Sequence, residues 1–77
     1  MEIEVLFFGE IAEIVGENKL IFSSVSNSDE LTSSLMEKYP KLQKINFQIA
    51  CNNQLINENQ ALANNDVLAF LPPFAGG

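Results

Sequence analysis

VLAFLPPFAGG, residues 67 to 77, decides how the rest of the chain is read. Its opening five residues are apolar, and their alternation sets Leu68 and Phe70 on one side, with Ala69 and Leu71 on the other, as a half-covered strand requires. Pro72 and Pro73 carry no amide hydrogen, so they end the ladder and hold the backbone in an extended course away from it. Phe74 and Ala75 follow, and Gly76-Gly77 lack β-carbons, so a partner could close a narrow channel around bare backbone and reach a terminal carboxylate. The expectation is a final strand running into an extended, flexible tail over 72–77. The plainer reading of the same residues is a sheet-ending bend and a frayed terminus.

Working back from this stretch, Asn64-Asn65-Asp66 supplies the turn before the strand, since asparagine tolerates the left-handed conformation. Before it NENQALANND is a polar connection anchored by Leu62, and QLI is a short strand returning from the Asn52-Asn53 turn. INFQIACN, 45 to 52, alternates with Phe47, Ile49 and Cys51 on one face. At the other end, EIEVLFF alternates so that Ile3, Val5 and Phe7 point inward, while Leu6 and Phe8 lie on the outer face. Ile11, Ile14 and Val15 then recur at helical spacing before Gly16, a C-terminal cap, and NKLIFS, 18 to 23, reads as a strand antiparallel to the first.

The main helix begins in SVSNSDE. Asn27 caps it, Glu30 reaches back three residues, and Asp29 suits the positive end of the dipole. Leu31, Leu35, Met36 and Tyr39 form one apolar stripe, and Pro40 ends the helix. One stripe can cover one sheet face, so the order implies an α+β roll in which a mixed sheet wraps a single main helix. The ubiquitin-like β-grasp is such an arrangement, with the first and last strands adjacent at the centre of the sheet. Residues 1–77 then form one domain, because so short a chain cannot divide its apolar residues between two cores.

Composition narrows the function. Ten carboxylates face four lysines, with neither arginine nor histidine, giving a net charge of −6 and arguing against nucleic acid. The same charge suits a basic protein partner. One cysteine, Cys51, allows no internal disulfide and fits a reducing compartment, and no apolar run approaches the roughly 18 residues of a membrane span. The chain is expected to be cytoplasmic, with no membrane partner. Without histidine there is no ordinary neutral-pH base and no Ser/His or Cys/His pair. Glu10 and Glu13 read as a solvated helical face, Cys51 as a small core residue, and no metal or phosphate-binding motif is present. The only group left with chemistry to offer is the Gly77 carboxylate.

Taken with VLFFGEIAEIVG at 5 to 16, NQLI at 53 to 56 and ALANNDVLAFLPPFAGG at 61 to 77, the whole chain resembles the small subunits of molybdopterin synthase, sulfur carriers with a β-grasp fold. The double proline followed by two variable residues and Gly-Gly is similar to the family's ending. One departure is Asn65, where many relatives have glycine.

The resemblance implies that Gly77 is adenylated by an ATP-dependent activating enzyme and converted to a thiocarboxylate. Its sulfur would then pass to cyclic pyranopterin monophosphate, two transfers building the dithiolene of molybdopterin. It further implies a non-catalytic, sulfur-donating subunit with no bound cofactor, whose catalytic side chains belong to the large subunit, in a heterotetramer of two small and two large chains. Pro72, Pro73, Phe74, Ala75 and Gly76 would enter the partner's active site, and Leu6, Phe8, Leu55, Leu71 and Phe74 would contact partners. Alternatives are a sulfur carrier for thiamine or another pathway, a ubiquitin-like modifier of target lysines, and a β-grasp interaction module with an inert tail.

Overall fold

Alternation at the N-terminus becomes strand β1 (Ile3–Phe7), in which Ile3, Val5 and Phe7 are buried and Glu4 and Leu6 half-covered. The structure, a computed structural model, describes residues 2 to 73. Helix α1 (Gly9–Val15) closes on Gly16, whose left-handed backbone (φ 82°) lets its N–H donate to the Ala12 carbonyl at 2.8 Å. Strand β2 (Lys19–Phe22) then returns antiparallel to β1, Ile3 opposite Phe22 and Leu6 opposite Lys19.

Helix α2 (Ser28–Lys38) starts where Asn27 accepts a hydrogen bond from the Glu30 N–H at 2.8 Å. Glu30 reaches back one residue further than a capping box requires: its carboxylate accepts from the N–H of Ser26, at 2.6 Å, and from the Ser26 hydroxyl. The helix ends at Lys38, and Pro40 does more than stop it. Proline's fixed φ suits the first turn of a helix, and Pro40–Lys44 form a 3₁₀ turn that sinks Leu42 fully into the core. This turn occupies residues up to Lys44, with Ile45 as its C-cap, so the third strand, β3 (Gln48–Cys51), begins three residues later than the alternation from Ile45 suggests.

The Asn52-Asn53 turn has both residues at positive φ (51° and 72°), the left-handed pair a two-residue hairpin needs, and leads into β4 (Gln54–Ile56). Strand β5 (Val67–Leu71) follows Asn65, also left-handed at φ 71°. The sheet order is β2-β1-β5-β3-β4, with β5 parallel to β1 and antiparallel to β3. The sheet is therefore mixed, with β5 at its centre, and it wraps α2 as a ubiquitin-like β-grasp.

One face of that sheet makes the core. Ile3, Val5, Leu68 and Phe70 have no exposed surface, and Leu31 and Leu35 of α2 cover them with Met36 and Tyr39 at the margin. The Phe70 ring sits 5.9 Å from that of Phe7 and 5.3 Å from that of Phe47, within the range of favourable aromatic contact. Leu62 anchors the long connection, as its isolated position in a polar segment suggests. Val25 and Leu42 are core members that lie in segments with no readable period.

Candidate functional site: the outer sheet face and the root of the tail

Strand parity sends every second residue to the side away from α2, and the register lines four of these up. Leu6 pairs with Ala69, Ala69 with Ala50, and Ala50 with Leu55, so one row crosses β1, β5, β3 and β4. Two alanines in the middle and a leucine at each end give a dip with raised sides. It is a depression of about 360 Å³ lined by Leu6, Phe8, Ala50, Leu55, Ala69 and Leu71, among others. Phe8 and Leu55 are 44% and 58% exposed, too much for residues that belong to a core. The four described members of the expected partner surface, Leu6, Phe8, Leu55 and Leu71, are thus brought together on one concave face. Leu55 does not tuck beneath its hairpin.

Ala50 and Ala69 form the floor of this face and were not singled out from the sequence. Their outer parity was the available signal; an alanine reads as neutral until its neighbours across the sheet are known.

The sheet's central strand delivers the tail root from the rim of the same face. Phe70 faces the core and Leu71 the depression. Pro72 then leaves the ladder beside Gly9, and the Pro73 carbonyl accepts a hydrogen bond from Gln48 Nε2 at 2.9 Å. Phe74, Ala75, Gly76 and Gly77, the remaining expected tail residues, lie outside the described residues.

Two ionisable groups among the described residues, Cys51 and Asp66, depart from their ordinary values, and both serve the fold. Burial first, and the Asp66 carboxylate second, push the Cys51 thiol up, so it is held as a neutral core residue rather than a nucleophilic thiolate. Asp66 is shifted down by the Ala63 N–H and the Asn52 side-chain amide that its carboxylate accepts from. That carboxylate ties two turns together, a structural use. Glu10 and Glu13 are exposed on α1. Among the described residues no group of three possible metal ligands gathers, and no helix is long and apolar enough to cross a membrane.

Comparison with known proteins bears on the same residues. The ThiS family model matches residues 5–77. The chain belongs to the ThiS family. This ThiS-family chain is 32% identical, over its whole length and 99% of the relative's, to a molybdopterin synthase sulfur carrier subunit of Caenorhabditis elegans. It is 30% identical to the protein of that name in Mycobacterium tuberculosis, again over its whole length. Among solved structures it is similar to a chain in a complex of subunits 1 and 2 of molybdopterin-converting factor from Helicobacter pylori. There the identity is 32%, all of both chains is covered, and the TM-score is 0.76. It is also similar to small archaeal modifier protein 1 of Methanosarcina acetivorans, at 25% identity and a TM-score of 0.83 over 99% of this chain and 96% of that one.

Proposed function

We propose that this chain is the sulfur-carrying small subunit of molybdopterin synthase, acting in the cytoplasm. The observation that carries the reading is the match, along the entire chain, to proteins named molybdopterin synthase sulfur carrier subunit. The concave apolar face beside the tail root supports it, because a carrier whose terminus is modified by other enzymes must dock on them.

The chemistry assigned to Gly77 runs in three steps. A carboxylate is a poor acyl electrophile, so an activating enzyme first joins its oxygen to the α-phosphorus of ATP and pyrophosphate departs. Hydrosulfide, or sulfur delivered at the same oxidation level, then attacks the acyl carbon, AMP leaves, and Gly77 ends as a thiocarboxylate. Finally Pro72, Pro73, Phe74, Ala75 and Gly76 thread into the large subunit, where the sulfur attacks a carbon of cyclic pyranopterin monophosphate as a C–O bond at that carbon breaks. Water then cleaves the acyl–sulfur bond, leaving sulfur on the pterin and returning the glycine carboxylate. Leu6, Phe8, Leu55, Leu71 and Phe74 hold the large subunit in a complex of two small and two large chains, and they meet the activating enzyme by turns. The chain itself binds no cofactor. Incubating the protein with an activating enzyme, ATP and a sulfur source tests this. Intact-mass analysis should show a gain equal to the difference between sulfur and oxygen, confined to the C-terminal peptide.

A second reading, a modifier joined to target lysines, is favoured by the likeness to small archaeal modifier protein 1. It predicts an isopeptide adduct between Gly77 and a lysine, whereas the carrier predicts a free thiocarboxylate.

A further inference from the structure

Strand β5 lies between β1 and β3, and a residue at the edge of each, Gly9 two positions after β1 and Gln48 at the start of β3, meets the double proline. On the β1 side, Phe8 N–H donates to the Phe70 carbonyl at 3.2 Å, the last backbone bond before the prolines. The next residue, Gly9, takes φ +58°, and a β-carbon built on it would stand 2.9 Å from Pro72 Cγ, closer than real β-carbons approach. Pro72 therefore occupies space that only glycine leaves open. On the β3 side, Gln48 is the register partner of Leu71. Pro72 and Pro73 have no N–H with which to extend the ladder, but Gln48 Nε2 donates to the Pro73 carbonyl and adds one further bond from its side chain.

The Gln48 carboxamide has one orientation open to it. Turning it over would set Oε1 against the Pro73 carbonyl, acceptor against acceptor. As it stands, Oε1 is buried with no hydrogen-bond partner among the described residues. The bond that sets the orientation is therefore the one to Pro73, whose carbonyl can accept only from Nε2.

We propose that Gly9 and Gln48 are positioning residues that grip the Pro72-Pro73 root from both sides and set the direction in which the tail leaves the sheet. The proposal rests on the carrier reading for its consequence, because a tail that must enter a partner's channel gains effective concentration when its root is aimed. The grip is a property of the free protein and can be measured without that reading.

The test uses two variants of the full chain. Gln48→Met keeps length and removes the donor; Gly9→Ala places a methyl against Pro72. Gly9→Ala also strains a left-handed residue, so Gln48→Met keeps the test open if the alanine variant fails to fold. In the wild type, nuclear Overhauser contacts should join the Gly9 α-protons to the Pro72 ring, and carbon relaxation should report Pro72 and Pro73 as ordered as β5. Gln48→Met should loosen both prolines while leaving the β5 amides unchanged. With the large subunit present, sulfur transfer at saturation should fall about tenfold, as expected when a reacting group is misdirected, while affinity for the large subunit changes less than about twofold. Prolines as ordered in Gln48→Met as in wild type would overturn the proposal. So would loosened prolines with an unchanged transfer rate. If wild-type protein never acquires a thiocarboxylate, the carrier reading fails instead, and the relaxation of Pro72 and Pro73 alone decides whether the grip exists.

Discussion

Leu6 and Leu55 stand at opposite ends of a row that crosses four strands, with Ala69 and Ala50 between them. The shape of the outer face follows from that sequence of sizes: large, small, small, large. A side chain that fills the floor should abolish the dip without touching the core on the other side of the sheet. Ala69→Phe is therefore expected to keep the fold and to weaken binding of the large subunit at least tenfold, or about 1.4 kcal/mol. Isothermal titration of the purified subunits checks it.

Phe70 and Leu71 are consecutive residues with opposite duties, and substituting each should produce opposite defects. Phe70 is completely buried between the rings of Phe7 and Phe47. Phe70→Ala should cost roughly 3–5 kcal/mol, enough to leave so small a domain largely unfolded at 37 °C. Leu71→Glu puts a charge on the outer face. It should melt within a few degrees of wild type and lose its affinity for the large subunit. Thermal unfolding by circular dichroism, read beside a binding isotherm, separates the two.

Much of this was legible because strand period and cap chemistry are local. The alternation of IEVLF and VLAFL determined which residues face the core, and Asn27, Gly16 and the Asn52-Asn53 pair announced their cap and turns through side-chain and backbone preferences that need no tertiary partner. The outer face was legible in part: parity marked Leu6, Phe8 and Leu71, and the resemblance added Leu55. Ala50 and Ala69 escaped because their importance lies in standing opposite each other, which is a matter of register. The 3₁₀ turn escaped too. PKLQK holds one apolar residue among polar ones, no period can be read from five positions, and only the packed core shows why Leu42 points inward. A glycine between a strand and a helix carries no signal of its own, and the purpose of Gly9 appears only when Pro72, far along the chain, is seen against it.

Asp66 makes acid stability testable. The Ala63 N–H, and after it the Asn52 amide, hold its carboxyl below the ordinary carboxylate value in the folded state. A folded value lower than the unfolded one contributes stability that is present above the ordinary value and is lost as pH falls through the lowered one. Wild type should exceed Asp66→Asn in stability at neutral pH, and the gap should close as Asp66 protonates. Urea unfolding of both proteins across an acid series measures the difference, in which the titration of the other carboxylates largely cancels.

Asn27→Ala removes the side-chain acceptor that meets the Glu30 N–H at the start of α2. Loss of such a cap costs about 1 kcal/mol, which in a domain this size lowers the melting temperature by roughly 4–8 °C. The Ser26 to Glu30 hydrogen bonds lie outside the deleted group and should survive. Calorimetry gives the shift. Binding to the large subunit, proposed to use the opposite face of the sheet, should not change.

The central claim is that Gly77 carries the only chemistry this chain contributes, and intact-mass measurement tests it most directly. Wild-type protein and a Gly77 deletion would each be incubated with the activating enzyme, ATP and a sulfur source, then passed to the large subunit with cyclic pyranopterin monophosphate. The account predicts that wild type gains the sulfur-for-oxygen mass difference and loses it again on meeting the large subunit. The deletion variant, folded by circular dichroism, should do neither. Wild-type protein whose mass never changes, or a deletion variant that still supports dithiolene formation, would contradict it.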